Sequence, residues 1–257
     1  LGIVTMLSER RGEYAIAGAV AATFALASAL ITPQVSRLVD RYGQRRVLLP
    51  AAAAGALALS GLMVATWTGA PSWLLFVFAL LAGVMPSIGA MVRARWTEFY
   101  RDTPQLRTAF AFESVVDEVI FIVGPIVAIG LSVGLFPEAG PLAALVFLVI
   151  GVPLLCAQRR TEPAVRAHVA GTETSVIRIG GVQIVVLVMI AIGAIFGTAE
   201  ITAVAFAEAQ GQKASASFVL AIYAAGSLIV GLVFGTLKLK ASLATQFLAA
   251  IALAAAT

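Results

Sequence analysis

Glu113, Asp117 and Glu118 place three carboxylates just ahead of Val119 to Pro137, a run without any charged side chain. Residues four apart on a helix share a face, so Glu113 and Asp117 project from one side. Groups of this kind bind a proton or pair with an arginine. Arg93 stands about as far before the turn near Asp102 and Thr103 as Glu113 stands after it, which predicts an Arg93–Glu113 pair at similar depth. A carboxylate beside an arginine stays ionised, whereas a desolvated one without a partner is driven toward protonation. Asp117 and Glu118, further along, are the candidate proton-binding groups. All three could instead stitch helices together through buried hydrogen bonds. Glu200 ends another apolar run, after Gly193 and Gly197, and stands either at a cavity or at the outer interface near Glu208.

Other chemistries find little support. Cys156 is the single cysteine and His168 the single histidine, so no internal disulfide, no cysteine–histidine metal site and no redox centre is expected. No serine has a base in sequence view, and an enzyme embedded in the membrane ranks far behind other readings. No cofactor is expected.

The elements that carry these carboxylates are set by the solvent. The chain has 257 residues, 61% hydrophobic and 12% charged, against about 45–50% and about 25% in soluble domains. Mean hydropathy is +1.01. A hydrocarbon core about 30 Å thick takes roughly 20 apolar residues as a helix. Charge-free stretches of that order run Tyr14 to Ser36, Val47 to Val92, Val119 to Pro137, Ala139 to Gln158, Ile179 to Ala199, Ala214 to Leu237 and Ala241 to Thr257. The second holds two spans joined by a turn from Trp67 to Trp73, whose tryptophans suit headgroup depth. Trp96 and Tyr100 suit the opposite surface. Leu1 to Leu7 reads as the tail of an earlier span and the last stretch as a cut one, which predicts an all-α polytopic bundle of seven whole spans and two partial ones.

Alternating these spans puts fourteen of the 17 basic residues on one side, in loops 37–46, 93–107, 158–178 and 238–240. Arg10, Arg11 and Lys213 fall on the other side. The positive-inside rule makes the first side cytoplasmic, and the pI near 9.6 then reflects topology. The arginines are spread over short loops with no soluble domain to carry them, so no nucleic-acid partner is expected. A polar stretch at 158–179 divides the chain into a six-helix bundle at 1–157, its first helix truncated, and the start of a second bundle at 180–257.

Between the second and third spans stands Ser36, Arg37, Leu38, Val39, Asp40, Arg41, Tyr42, Gly43, Gln44, Arg45, Arg46, Val47, Leu48. This resembles the cytoplasmic loop signature of the major facilitator superfamily: Leu38, Asp40, Arg41, Gly43, Arg45 and Leu48 match at the family's spacing. Ser36, Val39 and Gln44 replace its first Gly, its Ala and the first Arg of its basic pair. The resemblance implies two helical bundles. It also implies that Asp40, with Arg41, Gly43 and Arg45, forms a latch that ties one bundle to the other and opens during transport.

Gly124 and Pro125, followed by Gly130, resemble part of the Gly-Pro signature of drug and proton antiporters, where they bend and pack a helix; plain helix packing explains them as well. The arginine that antiporters place in the fourth span would fall at Ala79. Because the family's first, fourth, seventh and tenth spans line its cavity, Met85, Ser87 and Glu200 are implied to face substrate. Gly130 with Gly134, and Gly231 with Gly235, have the small-residue spacing of tight crossings. The function expected is a monomeric secondary transporter in the plasma membrane that moves a small organic solute, by proton-coupled efflux or else by proton-coupled uptake of a metabolite. A channel or a structural membrane protein has weaker support.

Overall fold

A computed structural model describes residues 2–85, 87–165 and 180–210, together with isolated positions between 222 and 252. Among the described residues all regular structure is helical. The helices are α1 (Gly2–Arg11), α2 (Tyr14–Tyr42), α3 (Gln44–Trp67), α4 (Ser72–Ala82), α5 (Ile88–Phe99), α6 (Gln105–Gly134), α7 (Ala139–Ala157) and α8 (Gly180–Ala209), with one 3-10 turn at Arg159–Thr161 after α7. Four of them, α2, α3, α6 and α7, are individually long and apolar enough to cross a bilayer.

Helices outrun the charge-free stretches. α2 has 29 residues, about 43 Å of helix, and continues through Arg37, Asp40 and Arg41 to Tyr42. The loop expected at 37–46 therefore contracts to Gly43 alone. Likewise α5 carries Arg93 and Arg95 as far as Phe99 and α6 starts at Gln105, so the loop expected at 93–107 is residues 100–104. Arginine is a good helix former and needs only water around its head, so the first charge marks where hydrocarbon stops and not where the helix does.

The fourth span is the opposite correction. In place of one helix from Trp73 to Val92, α4 stops at Ala82 and α5 begins at Ile88. The sequence places Pro86 there, which lacks an N–H and disfavours helical geometry in the residue before it.

Among the described residues, two apolar clusters hold the bundle, one toward each end. Met6, Leu7, Ala17, Val20, Leu59, Leu62, Met63, Ala65, Leu75 and Ala79 join α1 to α4. Val39, Leu48, Ala52, Met91, Val152 and Cys156 join α2, α3, α5 and α7. The break at residues 83–87 falls between them in register. At that level helices approach closely: a Cβ on Gly83 would come within 2.9 Å of the Ser28 backbone nitrogen, and one on Gly55 within 2.9 Å of the Met85 side-chain Cγ.

Polar contacts gather at the helix ends. In the last turn of α1, Arg10 Nε donates to Glu138 Oε1 at 2.7 Å and Nη2 to Oε2 at 3.1 Å. Arg11 donates to the carbonyls of Ala65 and Ala70 at 3.0 and 2.6 Å, tying the end of α1 to the end of α3 and the turn that follows it. The hydrogen bond from Arg10 holds the Glu138 carboxyl below its ordinary range, against the opposing effect of burial.

The glycines of α6 do not make the contacts expected of them. A Cβ on Gly124, Gly130 or Gly134 meets nothing within 4 Å among the described residues, and neither does one on Gly193. α6 packs on α7 through another face, where Ser132 Oγ accepts from Gly140 N at 3.2 Å. Gly231 and Gly235 lie outside the described residues.

Gly83→Ala should therefore lower the thermal unfolding midpoint in detergent, by about 1–3 kcal/mol of stability, because the new methyl meets α2 backbone. Gly130→Ala should leave the midpoint unchanged or raise it. The Glu138 carboxyl, depressed on folding, contributes stability above its unfolded value near 4.5 and loses it as pH falls through the folded value. Melting curves from pH 7 downward should show wild type above Glu138→Gln at neutral pH, with the gap closing in acid.

Candidate functional site

Interrupting a helix inside a membrane frees backbone groups that only the protein can satisfy. The carbonyl of Met85 accepts a hydrogen bond from Thr32 Oγ1 at 3.3 Å, so α2 supplies one replacement. Past the break, α5 opens at Ile88 with no side-chain cap, leaving the partial positive charge of a helix start exposed. Glu113 lies against it: a Cβ on Gly89 would sit 3.8 Å from Glu113 Oε1.

Arg93, one turn further along α5, bridges two carboxylates of α6. Its Nε donates to Glu113 Oε1 at 3.1 Å and its Nη2 to Asp117 Oδ2 at 2.6 Å. The i, i+4 spacing that puts both acids on one face lets a single guanidinium reach both. Asp117 is thus not the unpartnered group expected, and Glu118 is half-buried and engaged as well. Arg93 has three more donors than the acids use, so its fork can serve a second carboxylate without giving up the first.

The two acids differ in access. Glu113 keeps 8% of its side chain exposed and its Oε2 is buried without a hydrogen-bond partner among the described residues, whereas Asp117 keeps 45%. At the break before α5, Ser87 is exposed and Met85 half-buried. The backbone of Glu200 belongs to α8, but its side chain lies outside the described residues. Gly124 and Pro125 lie further along α6 than the acids, in an unbroken helix.

A second polar centre sits where α2 turns into α3. Gly43 has φ +91, a conformation that favours glycine, and its Cβ would fall 3.2 Å from Val165 Cγ2, a tight contact. Glu162 reaches back to accept from the Arg45 N–H at 2.9 Å, capping a helix that has no side-chain cap of its own. Asp40 is exposed on the last turn of α2 and makes no hydrogen bond or ion pair among the described residues. Arg41 lies 5.3 Å from the ring centre of Tyr42.

Next to this turn is a residue that sequence reasoning passed over. Arg95 is 5% exposed, and donates to Gln44 Oε1 at 2.7 Å, to the Gln158 carbonyl at 2.9 Å and to Thr161 Oγ1 at 3.0 Å. Gln44 passes the chain on by donating to the Met91 carbonyl at 3.0 Å. Gln44 was the signal: it departs from the signature's arginine, and a second guanidinium in its buried position would face Arg95.

Apolar helices with their polar contacts at the two ends, a span broken between two apolar clusters and ion pairs beside that break define an integral, multi-pass membrane protein of the transporter class. A family model, that of the Major Facilitator Superfamily, matches residues 2–257. The chain belongs to that family, whose members carry small molecules across lipid bilayers. No curated protein and no solved structure matches the chain.

Restoring the family's residue with Gln44→Arg should weaken this chain: two buried guanidinium groups would compete for one set of carbonyls, at a cost of about 2–4 kcal/mol. Thermal unfolding in detergent measures it. Gln44→Glu, which supplies a counter-charge to Arg95, should fall much less.

Proposed function

We propose that the protein exports a small organic solute in exchange for protons, by alternating access between two helical bundles. Residues 1–157 form the first bundle, 158–179 the linker, and 180–257 the opening helices of the second. The arginine-rich helix ends face the cytoplasm and the membrane is the plasma membrane. Asp40, with Arg41, Gly43 and Arg45, serves as the latch toward the second bundle, and Met85, Ser87 and Glu200 line the solute path.

The observation that supports proton coupling is the sharing of Arg93 between Glu113 and Asp117. Two carboxylates and one guanidinium carry a net charge of −1 when all are ionised. A proton on Asp117 brings that to zero, while Arg93 keeps its pair with the more buried Glu113. Neither Arg93 nor Glu113 is then left unpaired, so the swing avoids the penalty of an isolated ion in the span. Asp117 is the more exposed acid and so the one that solvent reaches, and Glu113 holds the arginine in place.

The test uses the full chain reconstituted in vesicles, with amphipathic dyes first scored for uptake driven by an imposed pH gradient. Asp117→Asn should cut gradient-driven uptake at least tenfold while downhill dye movement persists. Gradient-driven uptake equal to wild type would overturn the assignment.

A further inference from the structure

The turn between α2 and α3 borders a cavity of about 410 Å³, lined by Tyr42, Gly43, Arg45, Arg46, Arg159, Glu162, Pro163 and Val165. Three arginines and one glutamate are among its lining. The carboxylate is already committed, since Glu162 Oε1 accepts from the Arg45 backbone N–H at 2.9 Å. By contrast, the side chains of Arg45, Arg46 and Arg159 form no ion pair among the described residues. The cavity therefore carries an excess of two positive charges.

Its neighbourhood adds to that charge. Arg45 and Arg46 stand in the first turn of α3, whose 24 residues direct the positive end of the helix dipole at the same space. The volume is that of a small-ligand site. An arginine fork matches two oxygens of a phosphate at once, and three forks around one opening exceed what a carboxylate or chloride requires.

Depth decides which phosphate. Val47 begins the charge-free stretch of α3 directly after Arg46, so the cavity lies at the level where hydrocarbon gives way to headgroups. Tyr42 presents an aromatic ring with a polar tip, the kind of side chain that favours that level. Pro163 and Val165 offer an apolar wall to the glycerol end of a lipid.

We propose that this cavity binds the phosphodiester headgroup of an anionic phospholipid through Arg45, Arg46 and Arg159. The site is separate from the Arg93 cluster and does not depend on proton coupling. A bound headgroup bridges the start of α3 to the turn at Arg159–Thr161, and so fastens the beginning of the central linker to the membrane surface.

The test titrates the full chain in neutral detergent with phosphatidylglycerol, with phosphatidylcholine and with inorganic phosphate, reading lipid retention by native mass spectrometry and the unfolding midpoint. Phosphatidylglycerol should be retained and should raise the midpoint, and phosphatidylcholine should do neither. The double variant Arg46→Gln with Arg159→Gln should weaken phosphatidylglycerol retention about tenfold or more. An equal loss of charge elsewhere, Arg37→Gln with Arg107→Gln, should leave it unchanged. If the double variant does not fold, Arg159→Gln alone, outside the long helices, should show a several-fold loss. Inorganic phosphate that stabilises wild type but not the double variant, with no effect of the lipid, would overturn the lipid and assign the cavity to a soluble phosphate. Equal lipid retention by wild type and the double variant, or equal loss in both double variants, would overturn the site altogether.

Discussion

Hydrocarbon accepts no hydrogen bonds, and each polar group placed in it must find a partner within the protein. Long helices satisfy their own interiors, so the difficulty concentrates at their ends and at any interruption. The ends are handled by arginine. Arg11 donates to the carbonyls of Ala65 and Ala70, Arg95 donates to that of Gln158, and Glu162 takes the free N–H of Arg45. The interruption at residues 83–87 draws on α2 instead, through Thr32. It is confined to a level where glycines leave room, Gly83 for the α2 backbone and Gly55 for the Met85 side chain. Without those contacts a broken span would leave its carbonyls facing lipid.

What the sequence reveals about this arrangement follows from locality. Membrane immersion, the helical class and the turn at Gly43 are legible because each depends on composition or on a few adjacent residues. The Arg93–Glu113 pair is legible because a hairpin makes residues equidistant from its turn into neighbours. The partners of Arg95 are not, since Gln44, Gln158 and Thr161 come from separate elements. Arg10 and Glu138 are 128 positions apart, and no spacing rule joins them. Glycines show the same limit from the other direction: the regular spacing in α6 marks no contact among the described residues, while the single Gly83 sits against α2. Spacing tells which residues share a face, and only the fold tells which face is covered.

Charge-free stretches misplace helix boundaries for a related reason. They measure the solvent, and the helix continues past it wherever good helix formers follow. Asp40 is thereby carried on a helix and not on a loop, at the last turn of α2. A residue on a helix end has a defined direction, which a mobile loop would not give it. The proposed latch gains from this: a partner in the second bundle would meet a carboxylate whose position is set by 29 residues of helix.

The arginine centres at Arg95, Arg10 and Arg93 differ in one respect that bears on function. Arg95 is held by an amide, a carbonyl and a hydroxyl, none of which gains or loses a proton at ordinary pH. Arg10 has one carboxylate, Glu138, and protonating it strands the guanidinium. Arg93 has two carboxylates, so one can be neutralised while the other keeps the pair. The first kind of centre is a fastener, the second a pair that acid breaks, and the third alone tolerates a change of charge. It is also the one beside the break in the fourth span, where the backbone has the fewest helical hydrogen bonds to resist bending. A change of charge and a change of shape are therefore cheapest at the same place, which is the arrangement that coupling between a proton and a moving helix requires.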